Sequence, residues 1–484
     1  MRKGNKAAKI LQPSSTARKR ALKTKATVKL RRGMGKRKPI QRHGIKARYK
    51  RKRGLRLRRR RGVLMPRRRR GRRFRYLRWL KLRRRRRLLR RRLRMDIPVP
   101  PQDPPDPYTA AVPGLNLIGY IRTEIGLGEA SRLMAKALEA ADLPFGIVNF
   151  ADPGAALDRN EDMSWAHKEL NDNPYKVNLF HLNAPNLRAA YDHPFHPLGR
   201  DLFHNRFNIG YWAWELPELP ETWCNSFELV NEVWAPSQFV VNAVQQKSPH
   251  PVIHIPHAVH VANSKAVDRR AFGLPEGPFL FLAMYDTHSL KERMNPQGAI
   301  HAFKRAFSAK NRSVGLVIKV NNPQSNPGDI EWLKQQCADY GNIYLIAEIL
   351  GRQQVDLLLN STDCFVSLHR SEGFGLVLAE AMHLGKPVIG TNWSGNTDFM
   401  NAGNSCPVNY SLVPVGKDIG PYQAHQLWAD PDEDHAAAYM RLLVRDPGWR
   451  ASIAQNGKHT IHAEYSPAVV GQRVRDRLTE LGQL

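Results

Sequence analysis

A chain of 484 residues, 42% hydrophobic, has room for two or three domains of roughly 100 to 200 residues and can bury a large core. Its four cysteines, Cys224, Cys337, Cys364 and Cys406, stand far apart, with no Cys-x-x-Cys pair and no histidine at zinc spacing, which leaves no basis for a metal knuckle or a disulfide framework. The net charge of +35 conceals two unlike parts: 45 of the 77 Lys and Arg fall in residues 1–95, which hold none of the 42 Asp and Glu, so the remaining 389 residues carry 32 basic and 42 acidic side chains.

The basic part comes first. It ends in RGVLMPRRRRGRRFRYLRWLKLRRRRRLLRRRLRM, residues 61–95, where self-repulsion opposes any core and predicts a disordered tail. On a helical wheel Leu77, Leu80 and Leu88 cluster, but Phe74, Tyr76, Trp79, Leu82, Leu89 and Leu93 spread round the other sides, so no amphipathic stripe forms. Three readings stand side by side. Arginines interleaved with aromatics suit nucleic acid; they suit an anionic membrane surface, at about 1 kcal/mol per basic residue; or translation begins at Met95, where MDIPVP opens a new composition, and the segment is no part of the working protein. The segment is too basic for a secretory signal, and no run of about 18 apolar residues occurs, so the expected setting is the reducing cytoplasm, with the inner membrane face as a peripheral site. Residues 96–111, which include IPVPPQDPPDPY, read as a stiff proline-rich linker.

From about Val112 the pattern changes. GLNLIGYIR (114–122) is a short apolar run followed by a glycine loop, and Ala130, Leu133, Met134, Ala137 and Leu138 then recur at helical spacing. FGIVNF (145–150), KVNLFHL (176–182), FNIGYW (207–212), EVWAP (232–236) and PVIHIP (251–256) read as buried strands between helical stretches. A second series follows: FLFLAM (279–284), VGLVIKV (314–320), NIYLIA (342–347), CFVSLH (364–369) and KPVIGT (386–391), alternating with helices near 296–308, 329–340, 352–360 and 376–384. Strands alternating with helices predict an α/β fold of two parallel sheets covered on both faces, in two Rossmann-like domains. The boundaries expected are 112–256 for the first, 257–465 for the second, and 466–484 for a C-terminal helix that packs back on the first. Ligands of such sheets bind beyond the carboxyl ends of the strands, so the cleft between the domains is the expected site.

SEGFGLVLAEAMHLGKPVIGTNWSGN (371–396) sets Glu372 in the loop before a helix and Glu380 inside it. Gly373 and Gly375 allow close backbone approach, and the amides that open the helix point at an anion. Two carboxylates reaching different parts of one ligand, each able to accept from vicinal hydroxyls, fit a phosphate flanked by two sugars, which is a nucleotide sugar. Glu380 lies among Val377, Leu378, Ala381 and Met382, an expensive place for an acid with no partner.

HRSEGFGLVLAEAMHLGKPVIGTNWSGNTDFM resembles the donor-site segment of the retaining glycosyltransferases of family 4, which have the GT-B fold; the resemblance covers about residues 112–484 and is densest over 279–400. It implies that Glu372 holds donor-sugar hydroxyls beside the reacting carbon, that Gly373, Phe374 and Gly375 approach the sugar and diphosphate, and that Glu380 binds the ribose. Gly395 and Asn396 occupy the family's second glycine loop, with Asp398 where a Glu is usual, and GLGEASR supplies Gly126 and Gly128 under the diphosphate. His181, just past a strand, takes the place of a histidine near the donor sugar, and His369 precedes the donor loop. The family clamps the diphosphate with an Arg and a Lys; here Met294 stands where the lysine is expected, and Arg293, Lys291 or Lys319 are the substitutes. GYWAWELPELPETW (210–223) suggests Trp212 and Glu215 on the acceptor side.

The resemblance further implies retaining transfer of a hexose to a glycan or lipid-linked glycan acceptor, in polysaccharide assembly, with no cofactor and no metal. The Asp-x-Asp of Asp430 and Asp432, in the acidic stretch ADPDED, reads as a solvated loop. The alternative is a nucleic-acid-binding protein that uses the Arg-rich tail and carries an inactive transferase-like body.

Overall fold

Continuous burial along the strands builds two sheets. In the computed structural model, which describes residues 112–150, 163–170, 173–193, 198–262 and 268–484, the first series forms β1 (Val112–Gly119), α1 (Gly126–Ala140), β2 (Phe145–Asn149), β3 (Tyr175–His181), α2 (Ala184–Asp192), β4 (Phe207–Tyr211), β5 (Glu232–Ala235), α3 (Gln238–Gln245) and β6 (Val252–His254). The basic tail and the proline-rich linker lie outside the described residues. Along β1, Leu115 and Leu117 face one core and Ile118 the other, so the sheet is buried on both sides, as parallel sheets require. Asn116, Asn178 and Asn208 sit abreast on β1, β3 and β4. Their amides hydrogen-bond in a row, at 2.9 and 2.8 Å, and the last donates to the Phe203 carbonyl, so the polar rung leaves no buried amide nitrogen without an acceptor.

The second series contains β7 (Phe279–Asp286), the short α4 (Lys291–Met294), α5 (Pro296–Ala306), β8 (Val314–Asn321), α6 (Pro327–Cys337), β9 (Ile343–Ile346), α7 (Arg352–Ser361), β10 (Cys364–Ser367), α8 (Leu376–His383), β11 (Val388–Thr391) and β12 (Cys406–Val408). Then come an antiparallel hairpin, β13 (Tyr410–Pro414) with β14 (Leu427–Pro431), and α9 (Glu433–Arg445), α10 (Pro447–Glu464) and α11 (Pro467–Glu480). The Asp-x-Asp is therefore no loop: Asp430 is a strand residue paired with Arg370 at 2.6 Å, and Asp432 caps α9. Helix α11 returns to the first sheet, where a side chain at Gly471 would collide with the Ala137 carbonyl of α1.

Strand order places the site. All neighbours within both six-stranded sheets are parallel. The first runs β2-β1-β3-β4-β5-β6, so its order reverses between β1 and β3; the second runs β12-β11-β10-β7-β8-β9 and reverses between β7 and β10. At such a reversal two crossovers leave in opposite directions and open a crevice at the strand ends. The segments after β1, β7 and β10 carry Gly126 at the start of α1, Arg293 in α4, and Glu372 in the loop before α8. Among the described residues no helix is long and apolar enough to cross a membrane.

Candidate active site

A cavity of about 480 Å³ lies between the two sheets, walled by Gly126, Ala213, Glu215 and His257 from the first and by Arg293, Met294, Glu372, Gly373, Phe374 and Gly375 from the second. It runs into a second space of about 230 Å³, which shares Gly126, Asp286 and Asn321 and adds Glu129, Arg352 and Glu380. The size suits a ligand larger than a monosaccharide.

The donor loop owes its shape to glycine. Gly375 has φ +91, a left-handed conformation that turns the chain into α8. Its first residues, Leu376, Val377 and Leu378, line the cavity, so the free amides of the helix start lie at its wall. Gly395 packs so closely on the Gly373 carbonyl that a side chain there would overlap it, and its amide donates to the Glu372 carbonyl at 2.9 Å. Asn396 is fully buried and hydrogen-bonds His369 Nε2 and the Thr391 carbonyl. Gly395 and Asn396, expected to touch the donor, instead brace the loop from behind, and His369 belongs to the same buried brace.

At one end, Arg293 Nη1 stands 3.3 Å from Glu372 and donates to the Ser371 carbonyl at 2.9 Å, while its Nε has no partner. Burial opposes the charge, but Tyr422, Glu372 and Glu215 hold the guanidinium firmly protonated. Of the three basic substitutes, Arg293 alone lines the cavity. Lys291 turns outward to Asp329 and the face of Trp332. Lys319 is fully buried and donates to the Val320 carbonyl and Asn321 Oδ1, and burial pushes its pKa down to about 8. Met294 does reach the cavity wall, so no lysine stands there.

At the other end Glu380 is fully buried among Leu378, Ala381 and Met382. Burial raises its pKa to about 7 against the pull of Arg352, whose Nη2 lies 2.6 Å from Oε1; Oε2 has no partner. Arg352 and Glu129 escaped the sequence reading because nothing in their local pattern marks them.

On the first domain, Gly126 opens onto the cavity, but Gly128 does not line it: its Cα packs on the Thr123 carbonyl, where a side chain would collide. Glu215 lines the cavity and accepts from Tyr422 at 2.9 Å. Trp212 is a correction: fully buried against Phe227, it is part of the core, and its neighbours Ala213 and Glu215 face the cleft. His181 is another. It has no exposed surface, bonds Ser131 Oγ at 3.0 Å, stacks on Tyr211 at 4.4 Å, and burial lowers its pKa to about 3, so it stays neutral and does not line the cavity. His257 lies beyond the same tyrosine and does line it. Tyr211 donates to the Ile255 carbonyl at 2.8 Å, which assigns the 3.1 Å contact as His257 Nδ1 donating to the tyrosine and leaves Nε2 an acceptor.

Residues 264–460 match the family model of the glycosyl transferases group 1. These residues are a group 1 glycosyltransferase domain. They include the donor loop, Arg293, Arg352 and both glutamates. No curated protein sequence matches the chain significantly. Many solved structures share the fold. Anabaena HepE in complex with UDP and glucose is 14% identical with a TM-score of 0.52, over 76% of this chain and 99% of that one. The sucrose-phosphate synthase of Thermosynechococcus elongatus is 14% identical with a TM-score of 0.55, over 76% and 98%. A glycosyltransferase from Rickettsia africae is 13% identical, also with a TM-score of 0.55, over 76% and 97%. The architecture shared with them is GT-B, and the transferase domain is its second half.

Proposed function

We propose that the chain is a retaining glycosyltransferase of family 4, moving a hexose from a nucleotide-diphosphate sugar to a hydroxyl of a glycan or lipid-linked glycan without a metal ion. One observation carries this reading. The cavity offers Arg293, whose Nη1 meets Glu372 and whose Nε is unpaired, helix amides beside them, and at the far end Glu380 with an unpaired carboxylate oxygen. Sugar, diphosphate and ribose would meet these groups in that order. HepE, with UDP and glucose bound, supports a nucleotide-sugar donor of this class.

In the transfer, the bond from the anomeric carbon to the phosphate oxygen breaks and a bond to the acceptor oxygen forms on the same face. The acceptor proton passes to the departing phosphate oxygen. Arg293 and the amides of α8 stabilise the charge that develops on the diphosphate, as fixed dipoles in a closed site do. Glu372 positions the sugar and stabilises positive charge at its carbon. Glu215, its orientation set by Tyr422, meets the acceptor hydroxyl. The Asp-x-Asp has other work, on Arg370 and on the α9 cap, which favours the metal-free reading. The setting is the cytoplasmic face of a membrane, where the Arg-rich segment meets anionic lipid.

Thermal unfolding with UDP and with GDP tests the donor site. A ligand at 100 times its Kd adds about 2.7 kcal/mol, and Glu380→Ala should abolish the shift. No shift with either nucleotide would sink the proposal. Anomeric analysis of the product by NMR tests retention, and unchanged rates in EDTA test metal independence.

A further inference from the structure

Glu380 uses only half of its carboxylate. Oε1 accepts from Arg352, while Oε2, fully buried in the wall of the 230 Å³ space, has no donor. A buried acceptor without a partner is costly, so the site is built for a ligand that brings hydroxyls. Arg352 does more than satisfy Glu380. Its Nη2 also meets Asp356 at 2.7 Å, one turn along α7, and its Nε faces Glu129 of α1, across the cleft, at 3.7 Å. Glu129 in turn accepts from Arg132 Nε and Nη2 at 3.0 and 2.9 Å, and Arg132 Nη1 donates to the Ile121 and Thr123 carbonyls. A continuous ionic chain thus runs from Glu380 to the loop that leads into Gly126.

We propose that Arg352 is a positioning residue for the donor nucleotide: it holds the Glu380 carboxyl by Oε1 so that Oε2 is turned toward the ribose diol, and through Glu129 it ties that carboxyl to the glycine loop of the first domain. The inference rests on the donor-site reading above. The groups that face the cluster are Arg352 and Asp356 from α7, Glu129, Arg132 and Lys136 from α1, Glu124 from the loop before α1, and His260 from the chain after β6. Of those acting on Glu380, Glu129 and Asp356 add to the effect of burial and Arg352 opposes it. Without the guanidinium the carboxyl stays protonated to higher pH and is a poorer acceptor for hydroxyls. Donor affinity should therefore rise with pH through about 7 in the wild type, and only at higher pH when Arg352 is neutralised.

Calorimetric titration of the full chain with UDP-glucose and GDP-mannose, whose diphosphates have no group titrating near neutrality, reads both affinity and its pH dependence. Between pH 6 and 8.5, R352Q should weaken binding of the preferred donor about tenfold at pH 7 and move the rising limb up by about one unit. R352K should return the limb to its wild-type position, and E129Q should move it down while weakening the plateau several-fold. A wild-type profile in R352Q, or uniform weakening with the limb unmoved, overturns the proposal while leaving the donor site intact. If R352Q does not fold, E129Q decides: a wild-type profile and plateau there overturns the cross-cleft link. Binding of neither nucleotide sugar by the wild type sinks the donor-site reading and this inference with it.

Discussion

At Arg293 a buried guanidinium faces Glu372 and keeps one N–H unpaired, which makes it the cation best placed for a diphosphate. Arg293→Met should lower kcat about 100-fold or more, the scale of losing a charge-stabilising donor, with nucleotide-sugar turnover as the readout. Lys319 makes the opposite prediction. Its ammonium is spent on Val320 and Asn321 inside the sheet, so Lys319→Met should leave donor affinity within about twofold, since it removes no ligand contact. It should also change how stability depends on pH. The folded pKa is pushed down to about 8 from an ordinary 10.5, so between these values the unfolded chain binds more protons. Wild-type stability must then rise with pH across that window, by up to ~3 kcal/mol, and the rise should vanish in Lys319→Met. Melting temperatures at pH 8 and 10 for both proteins check this, and parallel curves would contradict it.

Among the elements, the β13–β14 hairpin shows where the sequence stops being legible. The strands of both sheets could be read because burial on both faces leaves unbroken apolar runs such as FLFLAM and VGLVI, and GFGL before a helical stretch announced a close-approach loop. The hairpin has no such pattern. SLVPVGKDIGPYQAHQLWADP is shaped by contacts some two hundred residues away: Tyr422 packs on Trp214 and bonds Glu215, Gln426 donates to the Glu218 carbonyl, and Trp428 joins the first domain's core. His181 and Trp212 misled for a related reason. Both stand at strand ends where a residue can face either the cleft or the core, and only the packing of Tyr211 and Phe227 decides. Because the hairpin holds Glu215 from the opposite domain, Tyr422→Phe should keep the ring contact and cost about 1 kcal/mol of stability. Its main effect should be a higher KM for the acceptor, with donor affinity unchanged. A loss confined to donor binding would refute the acceptor-side role of Glu215.

For the whole molecule the question is which ties between the domains serve the site and which only hold the fold. Ser237, the cap of α3, donates to the Gly373 carbonyl at 2.6 Å, and Asp398 accepts from the Gln238 amide at 2.8 Å and faces His254. These bonds press the donor loop against the first domain. Arg477 of α11 instead meets the buried Glu232 at 2.5 and 3.0 Å, away from the cavity. Ser237→Ala leaves one buried carbonyl without its donor, a cost of ~1–3 kcal/mol, but that carbonyl belongs to the loop beneath the sugar. Arg477→Ala leaves a buried carboxylate with only the Trp234 N–H, and breaking such a pair costs ~3 kcal/mol or more. The two variants should therefore separate stability from function. Arg477→Ala should melt lower yet bind donor as the wild type does, whereas Ser237→Ala should lose less stability and bind donor several-fold more weakly. Melting curves and calorimetric titration on the same samples read both. If donor affinity instead followed melting temperature across the pair, domain closure would be governed by overall stability, and the tie at Gly373 would have no role of its own.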